Sequence, residues 1–225
     1  MEEFQRIIDT FKDNEVSKYV ALDLETKAMI SIAVLTTLGT TTEMKEEVIT
    51  ALNENVSVDS LSEAAIQCTP YVGYSRVKEA LEVLYTVFKE KGINLSLRDQ
   101  TRTTPANRLE KGLEVQQSIF GADLINKMRE SAPEDLKHIQ DYLSAYCFGD
   151  FYTRGKVDLK IRELLTFCCL ATLGGCEPQL RSHILGNLNV GNDRNTLLLA
   201  ITWCTPYIGF PRTLNAINCI NEIVK

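Results

Sequence analysis

The chain nearly repeats itself, and that repeat limits the fold more than any other feature. Cys68-Thr69-Pro70-Tyr71-Val72-Gly73-Tyr74 returns as Cys204-Thr205-Pro206-Tyr207-Ile208-Gly209-Phe210. The register extends further, with Arg76 matching Arg212 and Ala80 matching Ala216. Upstream, residues 24–39 pair with residues 159–174 after a one-residue slip. A period this long is a duplicated domain, not a solenoid unit of about 20 to 50 residues. Duplication also supplies an internal control. What both halves share reads as scaffold, and what one half has alone is a candidate for function. The second half alone carries Arg162, Glu163, Cys176 and His183.

The apolar spacing is helical nearly throughout. Phe4, Ile7, Ile8 and Phe11 share one face of a short first helix. Residues 27–38 form a strongly apolar helix closed by Gly39, and residues 43–53 an amphipathic one. Ser60-x-x-Glu63 reads as a capping box opening a helix that Pro70 stops. Residues 75–91 form a long amphipathic helix ending at Gly92. Residues 93–103 are polar and read as a linker, so the domains are expected at 1–98, degenerate, and 99–225, complete. Thr104-Pro105 opens the next helix, and residues 131–146 hold another. Residues 148–157 read as a loop. Helices over 158–173, 177–189, 193–204 and 211–224 complete the second copy. No segment alternates like a strand, so an all-α protein is expected, with the two units packed as an internal pseudo-dimer. The glycines of the two motifs are assigned to close helix packing.

At 225 residues the chain is long enough for two domains, each with its own core. A net charge of −6 argues against nucleic acid or an anionic membrane as partner, because either needs a basic face. Seven cysteines, an odd number without a Cys-x-x-Cys, read as reduced thiols in a cytoplasmic protein. The acidic start shows no signal-peptide core, and no apolar stretch is long enough to span a bilayer.

Cys176 follows Gly174-Gly175 and precedes Glu177-Pro178, which places it at a helix start. Unpaired N–H groups and the helix dipole there favour a thiolate, so this thiol is expected to be the most acidic of the seven. His183 lies seven residues on, on nearly the same helix face, with the Cα atoms roughly 10 Å apart. Gln179 occupies the turn between. Glu163, in the preceding helix, is the natural bridge. Arg162 beside it either binds an anionic substrate group or fixes the carboxylate, and Tyr207 is a candidate pocket residue. Each has a blander alternative: an inert buried thiol, a surface histidine, an ordinary helix-surface ion pair. In the first half, position 183 maps to Glu47, position 176 to Thr40 or Thr41, and position 163 to Ala28 or Lys27. Two histidines without clustered partners make no zinc shell, and no glycine-rich loop cradles a nucleotide. Neither metal nor cofactor is expected.

Phe148-Gly149-Asp150-Phe151-Tyr152-Thr153-Arg154-Gly155 running into Leu159-Lys160-Ile161-Arg162-Glu163 resembles the entry of a carboxymuconolactone decarboxylase family domain. Pro178-Gln179-Leu180-Arg181-Ser182-His183 and Pro206-Tyr207-Ile208-Gly209-Phe210-Pro211-Arg212 are similar to its later segments. The resemblance implies an all-α fold of paired units and a homo-oligomer, here a trimer of tandem chains forming a pseudo-hexamer. The family includes alkylhydroperoxidase D, whose pattern is Glu, then Cys-x-x-Cys, then His. Glu163, Cys176 and His183 fall on those positions with the Glu spacing off by one, and Gln179 replaces the second Cys. True carboxymuconolactone decarboxylases generally lack the thiol.

Two activities follow as expectations. The first is a thiol peroxidase, in which Cys176 attacks a peroxide, Glu163 and His183 relay the proton, and an external thiol reduces the sulfenic acid. The second is a cofactor-free lyase or isomerase on a small carboxylated lactone or ring acid. There His183 shuttles the proton, Glu163 orients it, and Arg162 or Arg181 anchors the carboxylate.

Overall fold

The computed structural model describes residues 1–93 and 99–224. Residues 94–98 of the expected linker, and with them the 98/99 boundary, fall outside the described residues. Every regular element among the described residues is helical. The first unit comprises α1 (Glu2–Asp9), a π-helical continuation (Thr10–Val16), α2 (Ser17–Tyr19), α3 (Leu24–Leu38), α4 (Thr41–Asn53), α5 (Val58–Gln67), α6 (Thr69–Val72) and α7 (Tyr74–Glu90). The second begins with α8 (Arg108–Phe120) and α9 (Ala122–Glu130), for which the first unit has no counterpart. A 3₁₀ turn (Glu134–Leu136), α10 (Lys137–Tyr142) and a second π-helix (Leu143–Tyr152) follow, then α11 (Leu159–Leu173), α12 (Glu177–Asn189) and α13 (Arg194–Ile223). No helix among the described residues is long and apolar enough to cross a membrane.

The helices α3 and α11 are the paired centre. Both are apolar nearly all round, so neither can leave a face in water. They lie against each other, burying Ile30, Ile32, Val34 and Leu35 of one with Leu164, Phe167, Cys168 and Cys169 of the other. Each such side chain contributes about 1.5–3 kcal/mol. The expectation of a core for each unit is corrected here, because one continuous core runs through both. Each central helix starts with the same device: Asp23 accepts from the Thr26 N–H at 2.9 Å, and Asp158 from the Ile161 N–H at 2.9 Å.

Several local expectations are also corrected. Ser60 and Glu63 form no capping box, since α5 already begins at Val58. Ser60 instead donates to Glu25, and Glu63 is a buried partner for Arg154 and Arg162. The helix after Thr104-Pro105 starts later, at Arg108, after a turn in which Asn107 accepts from the Thr104 N–H. Residues 148–152 are no loop but the end of the second π-helix. Gly149 allows this by lying directly on the Arg108 backbone, as Gly112 lies on Ser144, so α8 crosses the π-helix backbone to backbone. The motif glycines act through conformation and not close approach. Gly73 and Gly209 have φ of 82° and 75°, a left-handed region that favours glycine, and no backbone crowds either one. The first helix buries none of its residues, and Phe4 and Ile7 face outward.

Candidate functional site

α11 carries Glu163 one turn past its Asp158 cap, and α12 carries His183 on the face turned toward it. Glu163 is fully buried and His183 is 9% exposed. His183 Nδ1 lies 2.9 Å from Glu163 Oε2. An ionised carboxylate only accepts, so Nδ1 carries the hydrogen and Nε2 is left to face a ligand. Asn187 holds the two helices in register, donating to the Glu163 carbonyl at 2.9 Å and the His183 carbonyl at 2.7 Å. Gly186 makes the approach sterically possible, because a Cβ there would meet Glu163 Oε2 at 2.6 Å. The imidazole is flanked edge-on by Phe120 and Tyr71, with ring centroids at 5.3 and 5.9 Å.

A buried relay supports the carboxylate from behind. Tyr152 donates to Glu163 Oε1 at 2.8 Å. The Tyr152 oxygen in turn lies 2.9 Å from the Tyr71 hydroxyl and 2.7 Å from that of Thr166. Gln67 Nε2 donates to Thr166 at 3.3 Å, and Gln67 Oε1 accepts from Arg162 at 2.8 Å. Burial pushes both tyrosine hydroxyls well above their ordinary pKa, so they stay protonated donors. Burial likewise pushes the adjacent Cys147 thiol up to about 12. Tyr71 and Gln67 belong to the first unit, so each unit contributes to this one site.

His183 opens onto a cavity of about 730 Å³, with Gln179 and Ser182 at its edge and Phe120, Leu124 and Met128 along its wall. Among the described residues, no group of three or more His, Cys, Asp or Glu side chains is placed to share a metal ion.

Four of the residues singled out in the sequence lie elsewhere. Cys176 does occupy the N-cap position of α12. Its thiol, however, donates to the Leu170 carbonyl at 3.3 Å and lines a separate crevice with Leu180 and Arg212. Leu170 lines both spaces and stands between them. Burial, followed by the charge of Glu177, raises the Cys176 pKa, the opposite of the expected acidic thiol. Arg162 is fully buried and spends its guanidinium on Glu63, Gln67 and the carbonyls of Arg154, Gly155 and Val157, so it does not reach the cavity. Arg181, the other suggested anchor, pairs with Glu222 on the surface. Tyr207 points into the opposite unit, where it donates to Glu47 at 3.1 Å. The tyrosine at this site is its repeat mate, Tyr71. Tyr152, Thr166, Gln67 and Gly186 also belong to the site, and the first three carry no local signal that marks them. A glycine inside an otherwise regular helix was the one available signal for Gly186.

An all-helical tandem pair with an imidazole–carboxylate dyad on one side only defines the class. The chain belongs to the carboxymuconolactone decarboxylase family, whose model matches residues 2–85 and 137–222. It is similar to a 4-carboxymuconolactone decarboxylase of Acinetobacter baylyi, 28% identical over 118 residues that cover 52% of this chain and 87% of the relative. Neither matched segment includes α8 or α9.

Proposed function

We propose that the chain is a cofactor-free lyase or isomerase in which His183 carries the proton. Glu163 orients the ring and stabilises the imidazolium that forms, while Tyr152 holds Glu163. The observation that carries this reading is the 2.9 Å Nδ1–Oε2 pair with the imidazole lining a cavity large enough for a small-molecule substrate. In an isomerase reaction Nε2 takes a proton from a carbon acid and returns it to another carbon. In a carboxy-lyase reaction CO2 leaves, the electron pair of the broken C–C bond stays on the substrate, and the protonated ring delivers a proton to it. The positive charge that develops on the ring is balanced by the buried Glu163 carboxylate 2.9 Å away. A carboxy-lyase is the member of this class that the relative's name suggests.

The thiol-peroxidase alternative rests on Cys176. Its sulfur is hydrogen-bonded to a backbone carbonyl, has a raised pKa and lines a different crevice from His183. A peroxidatic thiol needs the reverse, an exposed thiolate next to its proton relay.

The test compares wild type with His183→Gln and Cys176→Ser in three assays: CO2 release from 4-carboxymuconolactone, conjugation of a β,γ-unsaturated cyclohexenone, and hydroperoxide consumption with a thiol reductant. The reading expects a lyase or isomerase rate that falls about 10²- to 10⁴-fold in His183→Gln and is unchanged in Cys176→Ser. Hydroperoxide consumption lost in Cys176→Ser overturns it.

A further inference from the structure

The cavity's chemistry narrows what His183 acts on. Its outer wall is built by α8, α9 and α10, with Phe120, Leu124, Ile125, Met128 and Ile139 facing the space. The first four of these lie outside both family-matched segments, so this wall belongs to the chain and not to the family pattern. Several of the polar groups at the cavity are already engaged. Gln116 accepts from Ser144 at 2.7 Å, Ser182 donates to the Pro178 carbonyl at 3.2 Å, and Tyr71 belongs to the Tyr152 relay. The free ring nitrogen of His183 and the amide of Gln179 beside it meet a ligand, with the hydroxyls of Tyr142 and Tyr146 and the amide nitrogen of Gln116 as further neutral groups on the lining.

None of the residues lining the cavity is Arg or Lys. The guanidinium of Arg162 is consumed behind the site, and that of Arg129, on the wall helix, is held by Asp141 and Ser144. The nearest fixed charge behind the imidazole is the carboxylate of Glu163. A ligand carboxylate entering here would give up its hydration, find no cation, and face a negative charge.

We propose that the cavity takes an uncharged, mainly apolar carbonyl compound: a ketone, ester or lactone without a free carboxylate. Its carbonyl end meets Gln179 and His183, and its ring or chain lies against α8 and α9. The proposal rests on the acid–base reading of His183 and selects its isomerase branch, because a carboxy-lyase substrate carries the carboxylate for which this cavity holds no cation. On that reading the C–H bond next to the carbonyl breaks and its electron pair moves into the carbonyl. The proton passes to Nε2 and, in a compound with a β,γ double bond, is delivered to the γ carbon as the carbonyl re-forms and the electron pair flows back, shifting the double bond into conjugation. Nothing is oxidised or reduced, and no co-reactant is needed.

The experiment is a calorimetric or NMR titration of the full chain near neutral pH with two near-isosteric probes, benzylacetone and hydrocinnamate. They differ chiefly in a methyl ketone against a carboxylate. The proposal expects the ketone to bind at least about tenfold more tightly. Leu124 is 60% exposed at the rim, so Leu124→Lys is tolerated by the fold and sets an ammonium at the cavity mouth. That variant should improve hydrocinnamate binding about tenfold and shift the ketone much less. Hydrocinnamate binding to wild type as well as benzylacetone, neither probe binding, or a preference unmoved by Leu124→Lys overturns the proposal. Binding does not require turnover. A ketone preference with enzymatic rates indifferent to His183→Gln would therefore sink the catalytic reading and leave the ligand class standing.

Discussion

The two units use the same scaffold to opposite ends. In the second, α11 and α12 bring Glu163 and His183 together, and the first unit's Tyr71 reaches across to join them. In the first, the corresponding helices α3 and α4 place Ala28 and Glu47 at those positions, and Tyr207 reaches back from the second unit. Lys12 then closes the set. Its ammonium lies 3.2 Å from Glu47 and sits over the Tyr207 ring at 5.2 Å. Burial alone would lower the Lys12 pKa, but the charges of Tyr207 and Glu47 raise it overall. One unit thus holds a titratable pair with a nitrogen left over for a ligand, and the other holds an ion pair whose members satisfy each other. The second difference is α8 and α9, which wall in a cavity beside His183 and have no counterpart beside Glu47. The repeat offers two equivalent places, and a few residue differences with one extra helical pair leave the dyad and its cavity in one of them.

The sharpest way to break this comparison is to neutralise the corresponding carboxylates. Glu163→Gln leaves His183 without its orienting anion and should lower turnover about 10²-fold or more, close to the loss in His183→Gln. Glu47→Gln should leave turnover within about twofold and show itself in stability alone. Steady-state rates of the two variants decide it. Equal losses would mean that the first unit's cluster is also part of the machinery.

Gly186 offers the next largest effect. Its Cβ position falls 2.6 Å from Glu163 Oε2, 3.0 Å from Ile119 and 3.1 Å from Phe120. Glu163 is pinned by Tyr152 and His183, so Gly186→Ala must push the carboxylate or open α12 from α8. Overpacking of this kind costs about 1–3 kcal/mol, and a displaced dyad should lower turnover roughly 10- to 100-fold. The matching position in α4 is Thr50, which is exposed, because Ala28 and the lack of an α8 leave room there. Thr50→Gly should cost only helix propensity, about 1 kcal/mol or less, with turnover unchanged. Rates and thermal melts of the pair measure both.

How much of this was legible beforehand follows from the range of each interaction. The all-helical fold, the duplication and the pairing of Glu163 with His183 were readable, because periodicity and helix-face spacing are local properties. So was the α12 start at Cys176. The direction of its sulfur was not, since the Leu170 carbonyl that takes the thiol proton belongs to another helix. Arg162 looked like an anion anchor because its partners, Glu63 and Gln67, are nearly a hundred residues away in the other unit. Tyr207 and Tyr71 were indistinguishable as sequence. Which one enters which site depends on how the two copies cross, and a repeat carries no information about its own exchange. The π-helix over Leu143–Tyr152 was missed because its stabilisation comes from the α8 backbone packed on Gly149.

That exchange of tyrosines yields a smaller but more discriminating prediction. Tyr71→Phe removes one hydroxyl from the relay behind Glu163. It keeps the ring beside His183, so the dyad's carboxylate remains in place with a weaker support. The expected loss is about 1 kcal/mol of a single hydrogen bond, or roughly fivefold in turnover. Tyr207→Phe removes the equivalent hydroxyl from Glu47 and should leave turnover untouched. A rate loss in Tyr207→Phe with none in Tyr71→Phe would reverse the assignment of tyrosines to units.

The smallest effect concerns what the units share. Asp23 and Asp158 cap α3 and α11 with the same 2.9 Å bond to the third residue of each helix. Removing an N-cap carboxylate typically costs about 1 kcal/mol. The two central helices pack into one core, so neither unit should unfold without the other. Asp23→Ala and Asp158→Ala should therefore lower a single melting transition by similar amounts, about 2–4 °C in a chain of this size. Calorimetry of the two variants checks this against wild type. A transition that splits in two, or a loss confined to one variant, would mean that the merged core is not a cooperative unit. The first unit would then be a separable domain, and not the half of the scaffold that delivers Tyr71 and Gln67 to the dyad.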